Sequence, residues 1–173
     1  MKAKALLSEH ASKYMQARAI YRERKRYTEG ILRNLLATPP DSGDKEEHQV
    51  ALWKKLIAYE KTNPQRLENN ALYNRVTFTF NQAVLCLYFY PEIWHDFAVY
   101  QLQTDHLDIA AQVFERATVA VPRCLLLHFA YADAMESQKK VKEAKDIYEK
   151  LVTNNSDTLA FIQYMKFAAR TEV

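Results

Sequence analysis

The stretch WHDFAVYQLQTDHLDIAAQVFERATVAVP, residues 94–122, decides the fold of this chain. Its first half places Trp94, Phe97 and Tyr100 three residues apart, which forms one apolar stripe along a helix. A short polar break follows at 104–106. The second half carries apolar residues at helical spacing and closes on Pro122, which cannot extend a helix. The stretch therefore predicts a helical hairpin with its aromatic side turned inward.

The same hairpin pattern recurs along the chain. Its first helix has aromatic or apolar residues at i, i+3 and i+6, often with an acid or amide at i+7. The pattern fits four registers: Trp53/Leu56/Tyr59/Glu60, Trp94/Phe97/Tyr100/Gln101, Phe129/Ala132/Met135/Glu136 and Phe161/Tyr164/Phe167/Ala168. The second-helix pattern fits at Phe80, Phe114 and Tyr148, which are spaced 34 and again 34 residues apart.

A period of this length is typical of helix-turn-helix solenoids. One helix pair cannot cover its own apolar face, so the units stack and share an elongated core. We therefore predict an all-α fold, an α-solenoid of stacked antiparallel helix pairs in a right-handed superhelix. The repeat core is expected to contain thirteen side chains: Trp53, Leu56, Tyr59, Phe80, Trp94, Phe97, Tyr100, Phe114, Phe129, Tyr148, Phe161, Tyr164 and Phe167.

The domain prediction is one solenoid over residues 1–173, the amino-terminal part of a longer repeat domain. Its segments are a long helix at 8–36 that ends a preceding unit, repeats at 45–90, 92–121 and 123–153, and the first helix of a truncated repeat at 157–173. Helix breakers gather at 38–44 and 154–157. A solenoid end normally carries a polar capping helix. Because the pattern stops in mid-repeat, we expect this chain to be a piece of a longer protein.

The composition supports a helical fold. It argues against a membrane-spanning protein and against one whose charge alone would indicate a polyanion partner. The chain has two glycines in 173 residues, whereas average usage is about 7%. A formal net charge of +3 is too small to indicate a polyanion partner by itself. The longest apolar run, 83–90, is far below the roughly 18 residues that span a bilayer, so no membrane partner is expected. Cys86 and Cys124 both lie in apolar surroundings and are expected to be reduced, buried thiols.

The candidate partner or RNA surface is a set of arginines in the predicted first helix: Arg18, Arg22, Arg26 and Arg33. On a helical wheel they gather within about a quarter-turn. Like charges four residues apart oppose helix stability, so folding gains nothing from this set. It can contact an acidic protein surface or RNA phosphates, or it can be an ordinary solvated face. Arg24 falls in the apolar arc instead and should either reach outward or find a buried carboxylate.

Patterns that would carry chemistry are missing, so we predict no enzyme activity, no catalytic residue, no cofactor and no metal site. The five histidines show no metal-ligand spacing, and Cys86 and Cys124 form no zinc signature. Two glycines leave no phosphate-binding loop. Glu60 and Glu136 occupy the same repeat position, which favours a helix-to-helix hydrogen bond or ion pair within each repeat over paired catalytic acids.

The repeat pattern and several longer strings of this chain resemble those of a known protein family. The alternation of W-x-x-[YF]-x-x-[YF]-[EQ] with [FY]-E-[RK]-A and a closing proline resembles the half-a-TPR (HAT) repeat of RNA-processing proteins. The strings at 13–18, 53–66, 129–137 and 162–170 are similar to the family of large HAT-repeat subunits of cleavage stimulation factor, closest to plant-type versions. Phe129 and Phe161 stand where that repeat commonly has Trp, and Ala168 stands where it has Glu.

The resemblance implies a nuclear, non-catalytic scaffold for cleavage and polyadenylation of messenger RNA precursors. Implied partners are other cleavage and polyadenylation factor subunits, with pre-mRNA within the complex. In that family a second arm of the HAT domain makes a homodimer, so the longer protein is expected to dimerise through a region absent here. This chain alone is expected to be monomeric, with an apolar face exposed beyond Phe167.

Three alternatives stay open. HAT repeats also build scaffolds of splicing and ribosomal RNA processing. The arginine set could bind RNA directly, which predicts a steep salt dependence and little sequence preference. Helical-hairpin solenoids also build non-catalytic subunits of prenyltransferases. The turn at 63–66 and the string at 162–167 favour the cleavage-factor family over the scaffolds of splicing and of ribosomal RNA processing.

Overall fold

The computed structural model describes residues 2–40, 44–154 and 157–171, and within them it contains helices and no strand. The helices are α1 (Lys2–Thr28), α2 (Asp44–Lys61), α3 (Asn69–Cys86), α4 (Pro91–Gln103), α5 (Leu107–Ala120), α6 (Leu125–Ser137), α7 (Val141–Asn154) and α8 (Thr158–Thr171). The predicted helix breakers at 41–43 and 155–156 lie outside the described residues.

The chain divides into two compact units, Met1–Leu87 and Tyr88–Val173. In the first unit α1 packs on α2 and α2 packs on α3. In the second unit each helix from α4 to α8 packs on the next one along the chain. The predicted all-α architecture of helix pairs is thereby confirmed. The single continuous domain over 1–173 and the hand of its superhelix stay predictions.

The prediction of one helix over 8–36 is wrong at both ends. The helix already begins at Lys2, and it ends at Thr28 because Gly30 takes the left-handed backbone conformation, with φ of +83°. Gln49, 6% exposed, then holds the departing chain: its Nε2 donates to the Gly30 carbonyl at 2.9 Å and its Oε1 accepts from the Leu32 amide at 2.9 Å. The late glycine in the predicted helix is therefore its terminator.

The two units bury most of the predicted core stripe. Ten of its members are at most 8% exposed: Trp53, Leu56, Tyr59, Phe80, Trp94, Phe97, Tyr100, Phe114, Tyr148 and Phe167. Phe129 and Tyr164 are half-buried. The aromatic residues at the 34-residue period, Phe80, Phe114 and Tyr148, lie on α3, α5 and α7 respectively. The repeat therefore sets the second helix of each pair against the core.

Phe161 is the exception, because it is 44% exposed and was expected in the core. On α8 the packed face comprises Ala160, Tyr164 and Phe167, which follow the i, i+4, i+7 spacing of a single helix face. Phe161 comes one residue after Ala160, so it points about 100° away from that face. With Leu159, Ile162 and Met165 it forms an exposed apolar side of α8.

The turn that ends the first helix of each pair has a common geometry. Asn63, Asp105 and Lys139 follow α2, α4 and α6, and each has a positive φ, of 53°, 62° and 62°. After α4 and α6, the residue that follows the positive-φ position donates its amide hydrogen to the carbonyl five residues earlier. His106 donates to the Gln101 carbonyl, and Lys140 donates to the Met135 carbonyl. This is the Schellman motif, which satisfies a carbonyl at the helix end.

Candidate interaction surface

The basic face of α1 consists of Arg18, Arg22 and Arg26, which lie four residues apart on the helix and are all exposed. Arg33 was expected on the same face and is not, because the helix ends before it. It lies instead in a turn whose backbone approaches α3: the Cys86 thiol donates to the Arg33 carbonyl at 3.6 Å. The structure therefore brings together three of the four predicted arginines.

The Cys86 thiol is enclosed by the fold. It is 6% exposed, and burial raises its pKa, although the positive charge of Arg33 acts in the opposite direction. A raised thiol pKa leaves little thiolate, which is the nucleophilic form. Cys124, expected to be buried as well, is half-buried, and both cysteines are free thiols. Neither cysteine belongs to the basic face of α1.

The first half of α1 is exposed to solvent. Every side chain described between residues 4 and 19 is exposed, including Leu6, Leu7, Tyr14 and Met15. The helix as a whole carries eight of the 24 basic residues and two of the 21 acidic residues, which makes it net +6 in a chain of net +3. Apolar and cationic side chains therefore share one accessible helix.

The second half of α1 is anchored by a buried acid. Glu60 on α2 is 1% exposed, and its Oε1 accepts a hydrogen bond from Arg24 Nε of α1 at 2.6 Å. Arg75 of α3 binds the same carboxylate, with Nε to Oε2 at 3.3 Å and Nη2 to Oε1 at 3.3 Å. Both expectations for these residues are met, since Arg24 finds a buried carboxylate and Glu60 makes a helix-to-helix ion pair. One carboxylate thus joins three helices.

Aromatic packing strengthens the same junction. The rings of Tyr27 and Tyr59 stack with centroids 4.3 Å apart, and the Tyr59 hydroxyl donates to Glu23 Oε2 at 3.5 Å. Burial raises the pKa of Tyr59, and the nearby charges of Glu23 and Glu60 raise it further. The phenol therefore remains protonated and able to donate at neutral pH.

A cationic groove opens beside this junction, between α1, the connection from α2 to α3, and α3 itself. We define it by Lys13, Ile20 and Arg24 on α1, Gln65 and Leu67 in the connection, and Arg75 on α3. Its cavity volume is about 480 Å³. The sequence did not indicate the groove, because Lys13, Gln65 and Arg75 follow no common pattern and meet only once the connection folds.

The corresponding acid of the second unit lies nearer the surface. The Glu136 carboxylate of α6 accepts two hydrogen bonds from the Arg170 guanidinium of α8. Nε donates to Oε1 at 3.1 Å, and Nη2 donates to Oε2 at 2.7 Å. The hydrogen bond from Arg170 lowers the pKa of the Glu136 carboxyl below its ordinary value. Tyr148 stacks on Tyr164 next to this pair, with ring centroids 5.8 Å apart. A helix-to-helix ion pair is present here too, but it joins two successive predicted repeats, whereas a pair within one repeat was expected.

The second unit also has a larger groove, of about 620 Å³, between α5, α6 and α7. Its charged lining mixes both signs, with Glu115 and Glu143 on one hand and Arg123 and Lys150 on the other. His128 in this groove binds the Pro122 carbonyl at 3.1 Å, and burial lowers the pKa of the imidazole. The mixed lining selects no single ligand charge.

Among residues 2–40, 44–154 and 157–171, no group of three or more His, Cys, Asp or Glu side chains is arranged to hold a metal ion. In the same ranges, every helix is too short or too polar for a membrane crossing. The candidate interaction surface consists of the exposed part of α1, its basic face and the cationic groove.

The chain is similar to one known protein family and to several of its members. The model of the Suppressor of forked protein (Suf) family matches residues 1–173. The chain is 41% identical over 170 residues to cleavage stimulation factor subunit 77 of Arabidopsis thaliana, covering 98% of this chain and 23% of that protein. It is 32% identical over 214 aligned residues to protein suppressor of forked of Drosophila melanogaster, covering 95% of this chain and 28% of that protein.

A fungal relative extends the set. The mRNA 3'-end-processing protein RNA14 of Candida glabrata is 32% identical over 162 residues, covering 87% of this chain and 25% of that protein. The chain thus spans roughly a quarter of the length of the relatives it matches. The resemblance to the HAT-repeat family and to the large subunits of cleavage stimulation factor, seen first in the sequence, is confirmed.

Proposed function

The chain belongs to the Suppressor of forked family, and on that premise we propose that it is part of a non-catalytic protein-interaction scaffold for cleavage and polyadenylation of mRNA precursors. The observation that carries the proposal is the family match over residues 1–173 together with 41% identity to a cleavage stimulation factor subunit. Its proposed partners are other cleavage and polyadenylation factors, and its proposed location is the nucleus, where mRNA 3' ends are formed.

The organisation of the chain is part of the proposal. We infer that residues 1–173 continue a longer solenoid, with repeats at 45–90, 92–121 and 123–153, and that the longer protein forms a homodimer outside this chain. The exposed apolar side of α8 and the exposed first half of α1 support this organisation, because stacked repeats cover such faces with neighbouring helices. The chain alone is proposed to be monomeric in solution.

The basic face of α1 supports a protein-binding role within this scaffold. Arg18, Arg22 and Arg26 are exposed at intervals of four residues, where their mutual repulsion weakens the helix by about 0.2–0.5 kcal/mol per pair. An acidic surface on a partner would remove that repulsion on binding. Arg33, outside the helix, is left out of this surface.

The test is capture of partners from nuclear extract with the affinity-tagged chain and two charge-reversed variants. One variant changes Arg18, Arg22 and Arg26 to Glu. The matched control makes the same change of charge at Lys142, Lys150 and Lys166, which are exposed in the second unit. We expect the native chain and the control to recover cleavage and polyadenylation factors, and the arginine variant to recover at least about tenfold less.

Other outcomes separate the alternatives. Recovery of splicing or ribosome-assembly proteins by the native chain would contradict the proposed pathway. Equal recovery by both variants would remove the basic face from the binding surface. Treatment of the extract with ribonuclease tests direct RNA binding, since partners held through RNA are then lost from the native chain, and their binding falls steeply with salt.

A further inference from the structure

The cationic groove of the first unit has an unusual balance of charge. Among the described residues, every charged side chain that lines it is positive: Lys13, Arg24 and Arg75. The carboxylate of Glu60, which binds both arginines, is 1% exposed. Each guanidinium has five N–H donors, yet the carboxylate accepts three hydrogen bonds from the two arginines together. Donors and positive charge therefore remain in excess.

The two arginines are also reachable from the groove. The side chains of Arg24 and Arg75 are 25% and 30% exposed, whereas Glu60 is almost fully enclosed. Glu60 fixes both guanidinium groups in place, so a second acceptor would meet donors that are already oriented. Such preorganised, partly desolvated guanidinium groups bind carboxylates with paired, directional hydrogen bonds.

The connection from α2 to α3 forms a rigid wall of the groove. Asn63 clamps it with two side-chain hydrogen bonds: Nδ2 donates to the Leu67 carbonyl at 2.8 Å, and Oδ1 accepts from the Leu67 amide at 2.7 Å. Asn63 and Arg66 both have φ of 53°, a region that side chains disfavour. The clamp holds this strained segment, and with it Gln65 and Leu67, in the lining of the groove.

The groove also has an apolar part. Ile20 and Leu67 are half-buried in its lining, and Tyr21 beside them is 69% exposed. A volume of about 480 Å³ lies within the range of pockets that hold small ligands or a few residues of a peptide. The lining thus suits a carboxylate that is followed or preceded by an apolar side chain.

Nucleic acid fits this groove less well than a peptide. A single-stranded RNA site needs a track of cations for successive phosphates, with aromatic platforms between them. On α1, Lys13 and Arg24 face the groove, whereas Arg18 and Arg22 point to the opposite side of the helix at 100° per residue. Among the described side chains the cations therefore form one pocket and a separate face, and no continuous track joins the two.

We propose that the cationic groove is a binding site for a short acidic peptide segment of a partner protein. A glutamate or aspartate carboxylate of that segment lies between Lys13, Arg24 and Arg75, and an adjacent apolar side chain packs on Ile20 and Leu67. The site deepens the proposed scaffold role and rests on it, because a scaffold holds its partners through such segments. It is separate from the basic face of α1.

The experiment follows the Nε–H signals of Arg24 and Arg75 in ¹H–¹⁵N NMR spectra of the full chain. The probe is a blocked tetrapeptide with two glutamates between leucines, and its control has glutamines instead. Lys13→Glu is the test variant, and Arg18→Glu is its matched control, since both sites are exposed on α1 and undergo the same change of charge. Neither substitution touches Glu60.

We expect the glutamate peptide to shift both Nε–H signals in a saturable way, and the glutamine peptide to leave them unchanged. Lys13→Glu should weaken binding by at least about tenfold, and Arg18→Glu by no more than about twofold. Absence of saturation up to about 5 mM peptide, or equal weakening by both variants, would overturn the proposal.

A decauridylate RNA is the second probe. If it shifts the same two signals and binds more tightly than the peptide, the groove is a nucleic-acid site and the proposal is wrong. Failure of the peptide test would leave the capture of processing factors from nuclear extract unaffected. Failure of that capture, with the peptide bound as expected, would instead contradict the pathway and leave the groove assigned.

Discussion

The two units end the first helix of a pair in different ways. In the second unit the connections after α4 and α6 are three residues long, and backbone amides of His106 and Lys140 close them. In the first unit the equivalent residue is Pro64, which has no N–H to donate. The Thr62 hydroxyl donates to the Tyr59 carbonyl instead, at 2.7 Å. The connection runs on to residue 68 before α3 begins.

This difference shows how a repeat acquires a site. One proline prevents the closure that the repeat otherwise uses, and the longer connection is held by the side chain of Asn63. That connection supplies one wall of the cationic groove. The shorter turns of the second unit line a cavity of about 810 Å³, whose charged residues include both Asp105 and Lys140, so its lining is of mixed sign. The irregular unit is therefore the one with the more distinctive surface.

The largest expected difference between the units concerns their repeat acids. Glu60→Gln removes a buried charge and leaves Arg24 and Arg75 without their counterion, so we expect a loss of about 2–4 kcal/mol in the free energy of unfolding. Glu136→Gln should cost less than about 1 kcal/mol, since Glu136 and Arg170 are 27% and 48% exposed. Urea unfolding followed by circular dichroism measures both losses. Equal losses would show that burial does not distinguish the two acids.

A smaller difference in stability is expected at the turns after α2 and α6. There, substitution by glycine should destabilise the first unit and stabilise the second. Asn63→Gly keeps the positive φ accessible but removes two hydrogen bonds, which should destabilise the first unit by about 1–2 kcal/mol. Lys139→Gly relieves a left-handed residue whose side chain is exposed, and should stabilise the second unit by about 0.5–1 kcal/mol. Thermal unfolding of the two variants decides the signs. Stabilisation by Asn63→Gly would mean that the clamp is dispensable.

The smallest expected effect is a pH dependence in the second unit. Arg170 lowers the pKa of Glu136 in the folded chain, so the unfolded chain binds the proton at a higher pH. The stabilisation is present above the ordinary carboxyl pKa of 4.5 and is lost as the pH falls through the lowered folded value. The stability gap between the native chain and Glu136→Gln, below about 1 kcal/mol at neutral pH, should close on acidification. A gap that widens in acid would contradict this sign.

The sequence was sufficient for the architecture and for most of the core. Trp53 and Leu56 lie at helical spacing, and Phe80 begins the series that recurs every 34 residues; such patterns predict which face of each helix is buried. Prediction from the sequence failed for Phe161. The i, i+3, i+6 stripe is about 120° wide, and contacts with a neighbouring helix decide which part of that stripe is buried. The prediction failed for Arg33 because a left-handed Gly30 ended the helix.

Polar partners were the least predictable part. Both Trp53 and Trp94 were placed in the core, and both are 0% exposed. Trp94 Nε1 donates to the Tyr88 carbonyl at 2.7 Å, whereas Trp53 Nε1 has no partner among the described residues. The groove was missed for a similar reason: Lys13, Gln65 and Arg75 come from three segments that only the folded connection brings together. Spacing along a chain identifies faces of helices, but it does not identify what meets across them.

The uneven charge of the chain has a consequence for how fast partners arrive. With α1 at net +6, the remaining residues together are net −3, so the excess positive charge of the chain is concentrated on this one helix. A negatively charged partner is turned toward α1 while it is still diffusing, and such orientation raises association rate constants by factors of roughly 10 to 1,000 at low ionic strength. Encounter therefore selects this helix before any contact is made, and dissociation depends on the contacts that form afterwards.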